Sequence, residues 1–518
     1  MHPEGIYDDP KGQIFRNEIY KRLKFHFQFK NELMLFSEVD HQRAFSINIY
    51  DNLTNNIKFS SINNLFHPST IDGCYIHNGR GFCGGIKIVN KYTGKVQWNV
   101  EPHLDRIVSY SEDELKILFD SFESNGSHLG TKLAFVHSSK LINVLEKLGR
   151  VIKLKNIGFD SNECYNETNA VNDGLIKRES QIPKSTLDLV LSGPHFFVSN
   201  PLYKNPYEIC KINLDYDNID LNFVSESFLP RSNYSIMQLP APNHILQTKN
   251  KYKISFKKML DSKTERTLQS AIFPQDVTHT NGVVSVFQEQ EIKMLLFQAI
   301  CSSIVNDFYV KVLGKSNLYE GSLQILPTIT EPLPKLILRV LLLNCVTKYY
   351  SYLWKNNYEA TFTQDTWSKN DTRLKPFSNL TQEWQWSTPL RNWFERRQAL
   401  VEIDVITAMA LGLTLEELAL IYNVQFPVLQ QNEDDTWYDT TGNIVFTCSK
   451  GLTGVGVDRP VWETIKDLKA GETFEHTIEK SELYKGKKVS YYAPFDKCDR
   501  VEDYKTAWVH FEKVFNDK

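Results

Sequence analysis

The chain holds 518 residues, 41% hydrophobic and 12% aromatic, which excludes a disordered polymer and suffices for roughly two to four packed domains. Lys+Arg 59 nearly balance Asp+Glu 62, so no global basic field exists and any nucleic-acid reading must rest on local clusters. The cysteines Cys74, Cys83, Cys164, Cys210, Cys301, Cys345, Cys448 and Cys498 form no C-x-x-C pair, which argues against a zinc ribbon and a secreted disulfide framework and for thiols in a reducing cytoplasm. The first fifteen residues carry charges and no apolar core, so no signal peptide is expected. The most apolar run, Leu336 to Val346, contains Arg339 and Asn344 and is too short to span a bilayer, so no membrane partner is expected.

In chain order, the opening predicts a helix carrying Ile14, Ile19 and Leu23 inward, with Arg16, Lys21, Arg22 and Lys24 on its solvent side. Strands are expected over Phe25 to Phe36 and Phe45 to Tyr50. This reads as an α/β unit with no upstream strand for its helix to cross from, so residues Met1 to about Tyr50 are expected to complete a sheet supplied by another polypeptide. A glycine-rich loop follows at Gly79 to Gly85, then a helix opening at Ser111 with Glu112, Asp113 and Glu114 in its first turn. Residues Leu187 to Val224 look strand-rich, and alternation in Tyr252, Ile254 and Phe256 predicts a strand with Lys253 and Lys257 outward. Long helices are expected over Glu291 to about Lys311, Pro334 to about Tyr352, and Pro389 to Leu411. Gly412 then ends the third, and a Thr414/Glu417 capping box opens a short helix through Tyr422. Short strands and glycine turns precede a last helix, Val501 to Phe515.

Three constellations bear on chemistry. Asn200-Pro201-Leu202-Tyr203 is akin to the N-P-P-Y type motif of amino-group methyltransferases but lacks its second proline and any upstream glycine-rich loop, so a turn-rich strand pair is the better reading. Gly451-Leu452-Thr453-Gly454-Val455-Gly456 departs from G-x-G-x-x-G and reads as a structural turn. Lys251, Lys253, Lys257, Lys258, Lys263 and Arg266, interleaved with Tyr252 and Phe256, form the sharpest basic cluster. Its lysines suit phosphates, and Arg266 suits a bidentate contact to guanine or phosphate, with an internal ion pair to Glu265 or Asp261 as the alternative. The pair of helices around Gly412 carries Glu416 and Glu417 where a DNA reader needs cations, so a helical hairpin is expected. No histidine pattern supports a metal.

His2-Pro3-Glu4-Gly5-Ile6-Tyr7-Asp8-Asp9-Pro10 and His26-Phe27-Gln28-Phe29 resemble the late part of the catalytic domain of large Eco57I-like adenine DNA methyltransferases of restriction-modification systems. Thr264 to Ala271, Val277-Thr278-His279, Asn306-Asp307-Phe308 through Lys311, Asn317-Leu318 and Leu323 to Pro327 are similar to TaqI-like target-recognition segments. Gln425 to Leu429, Asp435 to Asp439 and Ser449 to Leu452 resemble the C-terminal tail of the same family. The resemblance implies a mixed α/β and α+β chain: an incomplete Rossmann-like methyltransferase part over 1–110, a target-recognition domain over 111–330, a helical region over 331–425 and an α/β tail over 426–518. It implies double-stranded DNA as partner, with Lys253, Lys257, Lys258, Thr264, Arg266, Thr267, Lys311 and Asn317 touching it. S-adenosylmethionine is then the cofactor of the complete enzyme, with neither cofactor nor catalytic residues in this chain and the catalytic half supplied by another polypeptide, in DNA modification and defence against phage. The alternatives are a self-contained methyltransferase using Asn200 to Tyr203, or a structural subunit of a defence complex.

Overall fold

Alternating aromatic and polar residues make Leu23–Lys30 the middle of the first sheet. The computed structural model describes residues 2–516 except positions 42, 91–94, 124, 213 and 238–249. Among the described residues this sheet has five strands in the order His2–Pro3, Ala44–Tyr50, Leu23–Lys30, Phe59–Leu65 and Val108–Tyr110. Leu23–Lys30 runs parallel to Phe59–Leu65, pairing Phe27 with Ile62, and every other neighbour is antiparallel. Its interior is partly polar: His26 Nε2 lies 2.8 Å from Glu4 Oε1, and Nδ1 lies 2.8 Å from Ser61 Oγ.

Helix Gln13–Tyr20 sits on this sheet through Tyr20, 5.3 Å from the Phe59 ring, but its faces are not those expected. Ile14 is 84% exposed and Arg16 fully buried. The Arg16 guanidinium donates to the carbonyls of Asp9 (2.6 Å), Gly130 (2.8 Å) and Ile6 (3.3 Å), tying turns more than a hundred residues apart to one side chain. A two-turn helix carries too little periodicity to show this. Ser111 caps helix Glu112–Phe122 with Glu114 closing the box.

A second sheet, four antiparallel strands among the described residues, runs in the order Ser270–Phe273, Lys253–Lys257, Val283–Phe287, Asp160–Asn162. One face, with Ile254, Phe256, Ile272, Val284 and Val286, packs on the helical core. The other, with Ala271, Phe273 and Val283, is covered by Leu189, Leu191 and Phe196.

The helical core is built on Glu291–Ser302, Ile304–Leu313, Pro334–Asn344 and Trp393–Ala410. The single helix expected from Glu291 to about Lys311 is two, bent by 67° at Ser303. Ser303 Oγ accepts from Val305 N, and Asp404, a hundred residues downstream, accepts from Ile304 N at 2.8 Å, so a new N-terminus is capped there. Arg339, fully buried, is held by Glu402 (2.5 Å) and Asp365 (2.8 Å). Gly412, at φ +74, ends Trp393–Ala410, and the capping box of Thr414 and Glu417 opens Leu415–Gln425. Lys147 of helix Lys140–Arg150 pairs with Glu417 at 2.7 Å, so this is an internal hairpin. Helix Pro427–Asp434 leads into strands Thr436–Tyr438 and Ile444–Thr447, and Arg500–Asn516 closes on Trp393–Ala410, with Arg500 2.8 Å from Asp404. Among the described residues no single helix is long and apolar enough to cross a membrane.

Candidate nucleic-acid interface

Strand Lys253–Lys257 is central, and its second face is covered, so Lys253 and Lys257 do not point outward as expected. Lys253 is 0% exposed, and its ammonium is pushed down by burial. Lys257 lays its stem against Gly193 and its ammonium over the rings of Phe196 and Phe197, 5.8 and 5.7 Å from their centroids, and burial lowers it to about 7. Alternation reveals two faces of a strand but not what covers the second. Lys258 is partly exposed, pairs with Glu163 at 2.5 Å and lies over Tyr319.

Arg266 is engaged internally, with neither Glu265 nor Asp261 but with Asp307, Nε to Oδ2 at 2.6 Å. Its Nη2 donates to the Ser302 carbonyl at 2.8 Å, while Asp307 also accepts from the Thr267 and Leu268 amides at 3.0 Å. Lys311 donates to the Ser262 and Thr264 carbonyls and to Thr267 Oγ1 (2.9 Å), and Thr267 Oγ1 donates to Asp261 O. The segment 258–267 is therefore clamped onto helix Ile304–Leu313 by Arg266, Thr267 and Lys311. Asn317 bridges back to Met259 and is half-buried. Burial removes these three clamp residues from the free surface and leaves Thr264 as the exposed member.

What the clamp presents is a cleft. Its outer edge, with Asp261, Ser262, Lys263 and Thr264, faces the carboxyl ends of the two parallel strands, where Lys30 and Asn64 sit, across a cavity of about 250 Å³. Crevices beyond the carboxyl ends of parallel strands are where α/β sheets place ligands. Lys87 lies over the Trp98 ring at 4.4 Å on the same wall, and that ring stacks on Phe66. Lys311 lines the floor and Lys315 the end of helix Ile304–Leu313. Five lysines thus converge against Asp261, with Lys263 also paired to Glu32 and Lys315 to Asp8. Lys30 is pushed down to about 8, chiefly by burial and then by the ammonium of Lys263, and burial also lowers Lys87 and Lys311. Gly314, at φ +65, lets the chain leave the helix against the Phe135 ring. A cavity of about 470 Å³ adjoins through Lys315 and Ser316 and takes in Lys132 and Asn317.

Of the sequence candidates, Thr264 and Lys311 line this cleft, and Asn317 its extension. Lys30, Lys87 and Lys315 were missed because they are isolated in the sequence, where no local cluster marks them. Asn200 to Tyr203 form a turn in which Phe197 N donates to Asn200 O (2.9 Å), and Tyr203 Oη donates to Gly451 O at 2.6 Å. Lys450–Leu452 is a single 3₁₀ turn after an antiparallel pair, not the parallel strand-to-helix crossing a cofactor loop uses. Among the described residues no group of three or more His, Cys, Asp or Glu is placed to hold a metal ion.

No protein-family model matches the sequence, and no curated protein matches it. The crystal structure of the type IIG restriction endonuclease BpuSI shows a weak similarity, with a TM-score of 0.24 and 13% identity over 69% of this chain and 44% of that one. The chain spans less than half the length of that endonuclease.

Proposed function

We propose that this chain is the DNA-recognition portion of an adenine-specific DNA methyltransferase of a restriction-modification or phage-defence system, with S-adenosylmethionine and the catalytic motif held by another polypeptide. The observation that carries the DNA reading is the convergence of Lys30, Lys87, Lys263 and Lys315 on one cleft in a chain of nearly balanced charge. Burial makes the Lys30 and Lys87 ammoniums costly to keep protonated, and a phosphodiester returns the interaction that burial removes. Lysines without fixed geometry neutralise phosphates and position the duplex, while carrying no sequence information themselves. We assign contact with base edges to Thr264 and Asn317, which line the cleft and its extension. The adenine specificity and the partner rest on the sequence resemblance.

The test is binding of the purified chain to duplex DNA from 50 to 300 mM salt. Two to four neutralised phosphates give a slope of log K against log salt of about −2 to −3.5. A slope near zero, or no binding at the lowest salt, overturns the proposal.

A further inference from the structure

One face of the first sheet is largely apolar and only half covered. Directly opposite residues of an antiparallel pair share a face, so Phe25, Phe27 and Phe29 lie beside Ile49, Ile47 and Phe45. Ile62 continues the row from Phe27 on the parallel neighbour. Helix Ser69–Ile76 lays Ile71 and Cys74 on this face and, with Leu35 and Ile107, buries Phe27, Phe29, Ile62 and Leu65. Strand Ala44–Tyr50 lies beyond that cover, with Ile47 39% and Ile49 45% exposed. On the opposite face His26, Gln28, Ser46 and Ser61 are all buried.

The uncovered half is continuous with the helix that covers the rest. Tyr75 meets the Phe25 ring edge-on at 6.0 Å, and Phe36 meets Phe45 at 5.1 Å, which itself stacks on Phe29. Ile76, two residues after the buried Cys74 and so about 200° round the helix, points away from the sheet and is 86% exposed. Phe36, Ile47, Ile49, Tyr75 and Ile76, with the open parts of Phe25 and Phe45, present roughly 500–600 Å² of apolar surface, the upper end of the largest patch a monomer carries. None of these seven side chains is charged.

The shape of the patch selects its occupant. A sheet with parallel strands is stable when helices cover both faces, so the open half calls for the apolar side of a helix. The helix end beside it calls for an apolar surface to receive Ile76. The two needs are complementary and adjacent, which is the condition for an isologous contact about a two-fold axis. An uncharged patch carries no repulsion against its own copy, and twice its area, roughly 1,000–1,200 Å² before any polar rim is counted, reaches what a stable dimer needs. We propose that this face joins two copies of the chain, each seating Tyr75 and Ile76 of helix Ser69–Ile76 on Ile47 and Ile49 of the other. The lysine cleft lies at the strand ends and not on this face, so a monomeric chain would leave the DNA reading standing.

Sedimentation velocity of the full chain over about 1 to 100 µM reads the association, because interfaces of this size hold from the micromolar range downward. A concentration-dependent shift from one chain to two is expected. Ile76→Asp changes a side chain already in water, so it spares the fold, and it is expected to weaken association at least about a hundredfold, since the two-fold axis counts the buried charge twice. Ile14→Asp, at the similarly exposed position on the helix that covers the opposite face, is expected to change nothing. Charge rescue identifies the reciprocal contact. An Ile76→Asp chain mixed with an Ile47→Lys chain should dimerise although neither does alone, because one half of the interface then pairs a carboxylate with an ammonium and the other keeps both isoleucines. Circular dichroism and melting temperature verify that each variant is folded. A chain that stays monomeric throughout, a dimer that survives Ile76→Asp or falls equally to Ile14→Asp, or a mixture that stays monomeric overturns the proposal; a monomer would leave the face to a different polypeptide.

Discussion

Arg266→Met is the most informative single perturbation, because the sequence marks this arginine as a base reader and the structure makes it a clamp. Asp307 is fully buried and accepts from three donors in the wild type: Arg266 through a 2.6 Å charge-assisted bond, and the Thr267 and Leu268 amides, each at 3.0 Å to Oδ1. Removing the guanidinium leaves two neutral donors for a carboxylate with no access to water, which costs about 3–5 kcal/mol. Methionine keeps much of the volume, so little of that loss is cavity formation. If opening is local to segment 258–267, the Thr267 and Leu268 amides exchange roughly 10² to several 10³ times faster, because each 1.4 kcal/mol is a factor of ten. Hydrogen exchange with mass spectrometry reads this directly. Adding Asp307→Asn, which keeps an acceptor without the charge, is expected to return most of the protection. Unchanged exchange and melting temperature, alongside lost discrimination among DNA sequences, would refute the reasoning and return Arg266 to base reading.

Three further outcomes are expected. The folded Lys257 value of about 7 lies below the ordinary lysine value of about 10.4, so the charged form is penalised fully below pH 7 and the penalty fades as pH rises toward 10; Lys257→Met should raise the melting temperature at pH 6 and not at pH 10, and an equal gain at both would contradict this. Gly314→Ala places a Cβ in the Phe135 ring at a left-handed backbone position and is expected to cost about 2–4 kcal/mol, read by thermal unfolding. With Lys30 at about 8, its charge is present below pH 8 and lost above it, so DNA affinity should be level from pH 6.5 to 7.5 and then fall by up to about tenfold per pH unit, whereas flat affinity through pH 9.5 excludes Lys30 from the interface.

Elements with strong local signals were legible. The Ser111 and Thr414 capping boxes, the stop at Gly412, and the last helix all stand where side-chain chemistry within four residues places them. What failed depended on distant partners. The break at Ser303 needs Asp404, and the burial of Arg16 needs the Gly130 carbonyl. The burial of Lys253 needs the layer around Leu191 and Phe196. The basic cluster was found, yet its lysines serve mostly as struts, and the cleft gathers charges from positions 30, 87, 263, 311 and 315 that only the fold brings together. The turn at Asn200 and the loop at Gly451 each looked structural alone, and their contact was not readable from either.

The claim that the lysine cleft holds DNA is tested most directly by the double variant Lys30→Ala/Lys87→Ala. Neither lysine forms an ion pair among the described residues, so their removal strands no carboxylate and folding should be kept, as circular dichroism and melting can verify. The slope of log K against log salt for duplex DNA should become shallower by about two units, equally for every sequence tried. An unchanged slope in a folded double variant would contradict the account.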